Sequence, residues 1–155
     1  MSGFLARLWK LLSLPKDLQL RIMRVMQDQF LVGVTGVIFN DRGEVLLFKH
    51  TYRQSDWGLP GGYLKAKEHP QEGLEREIHE ESGLTVSIDK RYKIRTDRET
   101  ARLDIVYIGT FVSGNFLPSP EVSDAKFFTF NDLPLVRKKD LLLLDKIMSS
   151  RNSHT

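Results

Sequence analysis

The run Gly62-Tyr63-Leu64-Lys65-Ala66-Lys67-Glu68, then seven residues, then Arg76-Glu77-Ile78-His79-Glu80-Glu81-Ser82-Gly83-Leu84 decides how this chain reads. Arg76 to Glu81 carries four charges in six residues, three of them carboxylates. With about 3.6 residues per turn, Glu77, Glu80 and Glu81 stand at i, i+3 and i+4 and share one face of a helix. Three like charges on one face repel each other and weaken the helix that carries them. A hard divalent cation against that face offsets the repulsion, and magnesium takes the oxygen ligands that carboxylates offer. The face is the candidate active site.

A helical wheel refines the picture. At about 100° per residue, Glu81 falls about 40° to one side of Glu77 and Glu80 about 60° to the other. Gly73 lies between Glu77 and Glu80, where a missing side chain leaves room for a metal and a phosphate. Leu74 and Ile78 share the adjacent side and are expected to anchor the helix, whereas Glu75, His79 and Ser82 point to solvent. Pro70 suits the first turn and Gly83 the C-terminal cap.

The spacing Gly-x5-Glu-x7-Arg-Glu-Ile-x-Glu-Glu-x-Gly-Leu resembles a complete Nudix box. The resemblance covers roughly Phe30 to Met148. It implies an α+β fold: an α/β/α sandwich around a mixed sheet. It also implies a hydrolase of phosphoric anhydride bonds that depends on Mg²⁺, with Mn²⁺ as a substitute. Carried over by position, Glu77, Glu80 and Glu81 are metal ligands and catalytic groups, and Arg76 orients a glutamate. The carbonyl of Gly61 is a further metal ligand, and Glu68 is structural or a remote ligand. A downstream acidic residue often joins such a site. Glu121, after Pro118-Ser119-Pro120, is the choice here, as ligand or general base, ahead of Asp124 and Glu99. Gly73 departs from the alanine expected of a typical member.

The rest of the chain supplies the frame. Phe4 to Leu12, and a second helix reaching about Gln27 with Leu18, Ile22, Val25 and Met26 inward, form an N-terminal extension, residues 1–28. Packing on the domain, a homodimer contact and attachment to a membrane surface are its three readings. The domain proper is 29–150. Strands are expected at Phe30 to Phe39, Glu44 to Lys49, Trp57 to Leu59, Leu84 to Arg95, Arg102 to Val112 and Val122 to Phe130. A closing helix spans Asp140 to Met148, with Leu141, Leu144 and Met148 inward.

Composition sets outer bounds. With 155 residues and 41% apolar content the chain suits one core, and a net charge of +3 fits a small polyanion without arguing for nucleic acid. The absence of cysteine removes thiolate chemistry and suits a cytoplasmic setting. No apolar run approaches the roughly 20 residues of a membrane span, and no cleavage site follows the apolar start. The four histidines have no metal-ligand spacing and read as surface residues. Arg53, in a polar loop, is a candidate contact for a substrate phosphate. Phe116, Phe127, Phe128 and Phe130 are candidates for base stacking, with core packing the plainer role. Arg137-Lys138-Lys139 reads as a solvated helix start.

The resemblance implies hydrolysis of a nucleoside diphosphate linked to a group X. Position 99 holds Glu99, where a proline is associated with ADP-ribose, and positions 100–102 lack the tyrosine associated with dinucleotides. A nucleoside triphosphate or a nucleotide sugar stays open. The alternatives are a catalytically silent nucleotide sensor and an RNA 5′-end pyrophosphohydrolase.

Overall fold

The computed structural model describes residues 15–52 and 57–152. The chain divides into two compact units, with the boundary between Phe30 and Leu31. Among the described residues the first unit holds one element, helix α1 (Lys16–Met26), and none of its residues is buried. Leu18, Val25 and Met26, expected to face inward, are exposed, since no second described element of that unit packs on them. The expected helix from Phe4 to Leu12 lies outside the described residues.

The second unit is built on a seven-stranded mixed sheet. Its strands are β1 (Leu31–Phe39), β2 (Val45–His50), β3 (Trp57–Gly58), β4 (Gly61–Tyr63), β5 (Thr85–Asp97), β6 (Arg102–Ser113) and β7 (Val122–Phe128). Strand β1 is central, running parallel to β6 along its whole length and antiparallel to β4 through Gly33–Tyr63, Val34–Gly62 and Thr35–Gly61. Strand β2 pairs antiparallel with β7, and β5 with β6.

Helices α2 (Pro70–Ser82) and α3 (Lys138–Asn152) cover different apolar clusters, as strand alternation requires. Val34 and Ile38 of β1 and Leu46 and Phe48 of β2 pack with Leu74 and Ile78 of α2. Their neighbours Val37, Phe39, Val45 and Leu47 pack with Leu143, Leu144 and Ile147 of α3. Because both faces are covered, β1 and β2 read as near-continuous apolar runs. The result is the expected α/β/α sandwich. Leu144 is fully buried and Met148 packs on the same cluster, both as expected, and Leu143 and Ile147 complete the inward face, while Leu141, also expected there, is exposed. Among the described residues, no helix is long and apolar enough to cross a membrane.

Candidate active site

Helix α2 is fixed at both ends before it presents any charge. The Glu72 carboxylate accepts the His69 amide at 3.3 Å, Pro70 opens the first turn, and Gly83 closes the helix in the left-handed region at φ 72°. Leu74 and Ile78 are fully buried, as the wheel requires. Two residues expected in solvent are not there. Ser82 is buried and donates to the Ile78 carbonyl. Glu75 accepts the Ile88 amide at 2.9 Å, beside the register shift between Ile88 and Lys90 of β5.

The anchored helix turns its charged face toward β4, and Arg76 organises it. Its Nε and Nη2 fork onto the two oxygens of Glu68, while Nη1 donates to Glu77 at 2.7 Å and to Glu80 at 2.9 Å. Nη2 also reaches the Tyr63 carbonyl at 3.5 Å. Glu68, first a remote member of the motif, is thus the principal partner of Arg76. Hydrogen bonds from Arg76 and from the Lys65 amide hold its carboxyl down at about 2, against an ordinary 4.5. Arg76 is in turn raised by Glu68 above all. Burial pushes the Glu80 carboxyl up, but Arg76 and Lys65 outweigh it and the net displacement is downward.

Glycines set the distance between helix and strand. A Cβ on Gly62 would stand 2.4 Å from Oε2 of Glu77, so only a glycine lets β4 meet that carboxylate. A Cβ on Gly61 would stand 2.1 Å from the Val34 carbonyl. Gly73 has a different task from the one expected. A Cβ there would meet Leu64 at 2.4 Å and Glu68 at 3.1 Å, so its missing side chain makes room for the loop that brings Glu68 in.

The donor set suits a hard divalent cation. It consists of carboxylate oxygens. Glu68, Glu77 and Glu80 are three carboxylates held by two cations, Arg76 and Lys65, and Glu81, next to Glu80 in sequence, is 8% exposed. Among the described residues no three acidic or imidazole side chains converge on one point, since Arg76 draws Glu68, Glu77 and Glu80 to itself.

The other candidates fall elsewhere. Glu121 is exposed at the start of β7, its carbonyl accepting the Thr51 amide at 2.9 Å. Among the described residues no hydrogen bond or ion pair joins its carboxylate to the Arg76 cluster. Asp124 pairs with Lys126 at 2.7 Å, and Arg53 lies outside the described residues. Phe127 and Phe128 are packed edge-on against Phe111 and Trp57, which is the plainer of their two roles.

A second cluster escaped the sequence reading. The buried Asp104 accepts the Thr35 hydroxyl at 3.0 Å and pairs with Arg95 and with Arg102, the latter at 3.3 Å. Burial pushes its carboxyl up, but Arg95, Thr35 and Arg102 together hold it below the ordinary value. His50, expected at the surface, is buried, and Arg137 is an ion-pair partner of the buried Asp140 rather than a solvated charge. An aspartate inside the apolar run Leu103-Asp104-Ile105-Val106 was the available signal.

The NUDIX domain profile matches residues 29–148. The chain belongs to the NUDIX family. It is 30% identical over 109 residues to an ADP-ribose pyrophosphatase of Methanocaldococcus jannaschii, covering 66% of this chain and 64% of that protein. It is 37% identical over 59 residues to a MutT-like protein of Streptomyces ambofaciens, covering 38% of each. The matched region thus spans less than two thirds of either curated relative. In fold it is similar to a NUDIX hydrolase from Nitrosomonas europaea, with a TM-score of 0.74 at 21% identity, over 82% of this chain and 75% of that one. NUDIX hydrolases generally use divalent metal ions.

Proposed function

We propose that this NUDIX protein is a Mg²⁺-dependent pyrophosphohydrolase that cleaves a nucleoside diphosphate linked to a group X, of triphosphate or nucleotide-sugar type. The observation that carries the reading is Arg76 gathering Glu68, Glu77 and Glu80 beside Gly61 and Gly62. The M. jannaschii relative bears the name of an enzyme for a diphosphate-linked nucleoside, which supports the same class.

In this reading Glu77, Glu80, Glu81 and the Gly61 carbonyl hold the metal. When bound, Mg²⁺ neutralises the diphosphate oxygens and polarises phosphorus. Arg76 holds Glu68, Glu77 and Glu80 in place and lowers the carboxyls of Glu68 and Glu80. Glu121, solvated and outside the Arg76 cluster, serves as a further ligand or takes the proton of the attacking water. Neighbouring carboxylates titrate together, so Glu77, Glu80 and Glu81 are treated as one group, with Glu121 as the separate candidate for the base. The partner is a small nucleotide rather than nucleic acid, and the setting is cytoplasmic.

The test is release of phosphate or nucleotide from triphosphates, oxidised triphosphates, nucleotide sugars and dinucleotides, with and without Mg²⁺. Metal-dependent turnover of one group names X. Glu81→Gln is expected to abolish that turnover while the far-ultraviolet circular dichroism is unchanged. Full activity of the variant removes the α2 carboxylates from the mechanism. Tight nucleotide binding without any turnover replaces the enzyme with a sensor.

A further inference from the structure

Next to Gly61 is a cavity of about 40 Å³ whose walls include Arg95, Arg102, Arg137, Lys139 and Asp140. One water needs about 10–15 Å³ of such space, so the cavity has room for a group of a few heavy atoms and too little for a nucleobase or a sugar ring. Its charge is unbalanced. Arg95 and Arg102 share Asp104, Arg137 pairs with Asp140, and among the described residues Lys139 forms no ion pair. Four cations therefore face two carboxylates. The Lys139 ammonium registers the crowding: burial first, then Arg137, hold it below its ordinary value, Asp140 opposing and Arg102 and Arg95 adding.

Two buried atoms specify the missing group further. The Asp140 side chain is 1% exposed, and its Oδ2 takes the Arg137 Nε at 2.8 Å while Oδ1 has no hydrogen-bond partner. The Nε–H of Arg102 has no acceptor. The lining thus offers surplus positive charge, a donor in need of an acceptor, and an acceptor in need of a hydrogen. A tetrahedral oxyanion that carries its own hydrogen answers all three at this size. Phosphate with one P–OH is such a group. Sulfate, fully ionised at neutral pH, would set a lone pair against the Asp140 oxygen.

We propose that this cavity is a phosphate subsite, and that the substrate accordingly bears a terminal phosphate beyond the diphosphate that is cleaved. The second clause rests on the pyrophosphohydrolase reading, whereas the affinity for phosphate does not. The terminal phosphate has two sources: the end of a nucleoside triphosphate, or a phosphoryl group on X.

The experiment is calorimetric titration of the full chain in EDTA with orthophosphate and with sulfate, at neutral pH and matched ionic strength. Orthophosphate is expected to bind, and sulfate about tenfold more weakly, the equivalent of one charge-assisted hydrogen bond. Lys139→Gln, at an exposed position that the fold does not need, is expected to weaken phosphate about tenfold. Arg42→Gln removes a cation that pairs with Glu44 and takes no part in the subsite, and is expected to change nothing. Absence of phosphate binding, or equal losses in both variants, overturns the subsite. Equal binding of sulfate overturns the part given to Asp140. Competition then separates the sources. Displacement of phosphate by a nucleoside triphosphate places the group on the nucleotide, and displacement by a sugar phosphate places it on X. Displacement by neither overturns the substrate assignment, while turnover only of a nucleotide sugar with no phosphate on its sugar does so and leaves the pyrophosphohydrolase standing.

Discussion

Arg76 closes on Glu68 with two edges of its guanidinium, Nη2 standing 3.0 Å from Oε2 while Nε donates to Oε1. The contact joins the loop before α2 to the middle of that helix, and it leaves Nη1 free to hold Glu77 and Glu80. Geometry of this kind belongs to arginine alone, because only a planar fork serves one carboxylate with two parallel bonds and others with a third nitrogen.

Arg76→Lys is therefore expected to fail despite keeping the charge. A single ammonium cannot span Glu68, Glu77 and Glu80 together. Activity should fall about 10–100-fold, the usual effect of losing a group that orients metal ligands. Steady-state kinetics against Mg²⁺ concentration checks this, and wild-type behaviour at all concentrations would reduce Arg76 to a counter-ion.

Acid stability follows from the same pair. Glu68 is held at about 2 in the folded protein and has an ordinary value of 4.5. A carboxyl depressed on folding contributes stability that is complete above its unfolded value and disappears as pH falls through the folded one. The loss belongs between about pH 4.5 and 2. Unfolding by urea across that window should show a shallower pH dependence in Glu68→Gln than in the native chain.

The two glycines of β4 are expected to part ways. Gly61→Ala drives a Cβ into the Val34 backbone, which cannot yield, and should cost about 1–3 kcal/mol or more. Gly62→Ala meets the flexible end of Glu77 instead, so the fold should survive with the carboxylate displaced and turnover reduced. Thermal unfolding beside an activity assay separates the two effects.

Leu143 and Leu141 of α3 give a stability contrast. Leu143→Ala empties a buried position and should cost about 2–5 kcal/mol, whereas Leu141→Ala, at the surface, should stay within about 0.5 kcal/mol. Equal effects would place Leu141 in the core beside Leu143.

Much of the box helix was legible because its evidence is local. Periodicity alone places Leu74 and Ile78 inward and the glutamates together, and Pro70 and Gly83 mark the ends. What lay beyond reach depends on pairings between distant segments. Arg95 stands opposite Asp104 only through the β5–β6 register, which shifts three times along its length. Thr35 meets Asp104 because β1 runs parallel to β6 in one alignment of several that the apolar pattern permits. His50 looked polar and terminal, yet it ends a strand whose both neighbours bury it. Gly73 was assigned the right property for the wrong neighbour, since nothing local announces that Leu64 and Glu68 would fold back over it.

Tyr63 touches both arginines: its carbonyl lies 3.5 Å from Arg76, and its ring lies 4.9 Å from the guanidinium of Arg102. Gly62, one residue back, abuts Glu77. Three residues of strand therefore divide an anionic surface from a cationic one, and the field across that partition is steep. A substrate of the proposed kind, with a cation at one end and bare phosphate at the other, should be turned by it before any contact forms. Productive encounters then depend less on chance tumbling, and added salt should slow arrival more than it slows departure.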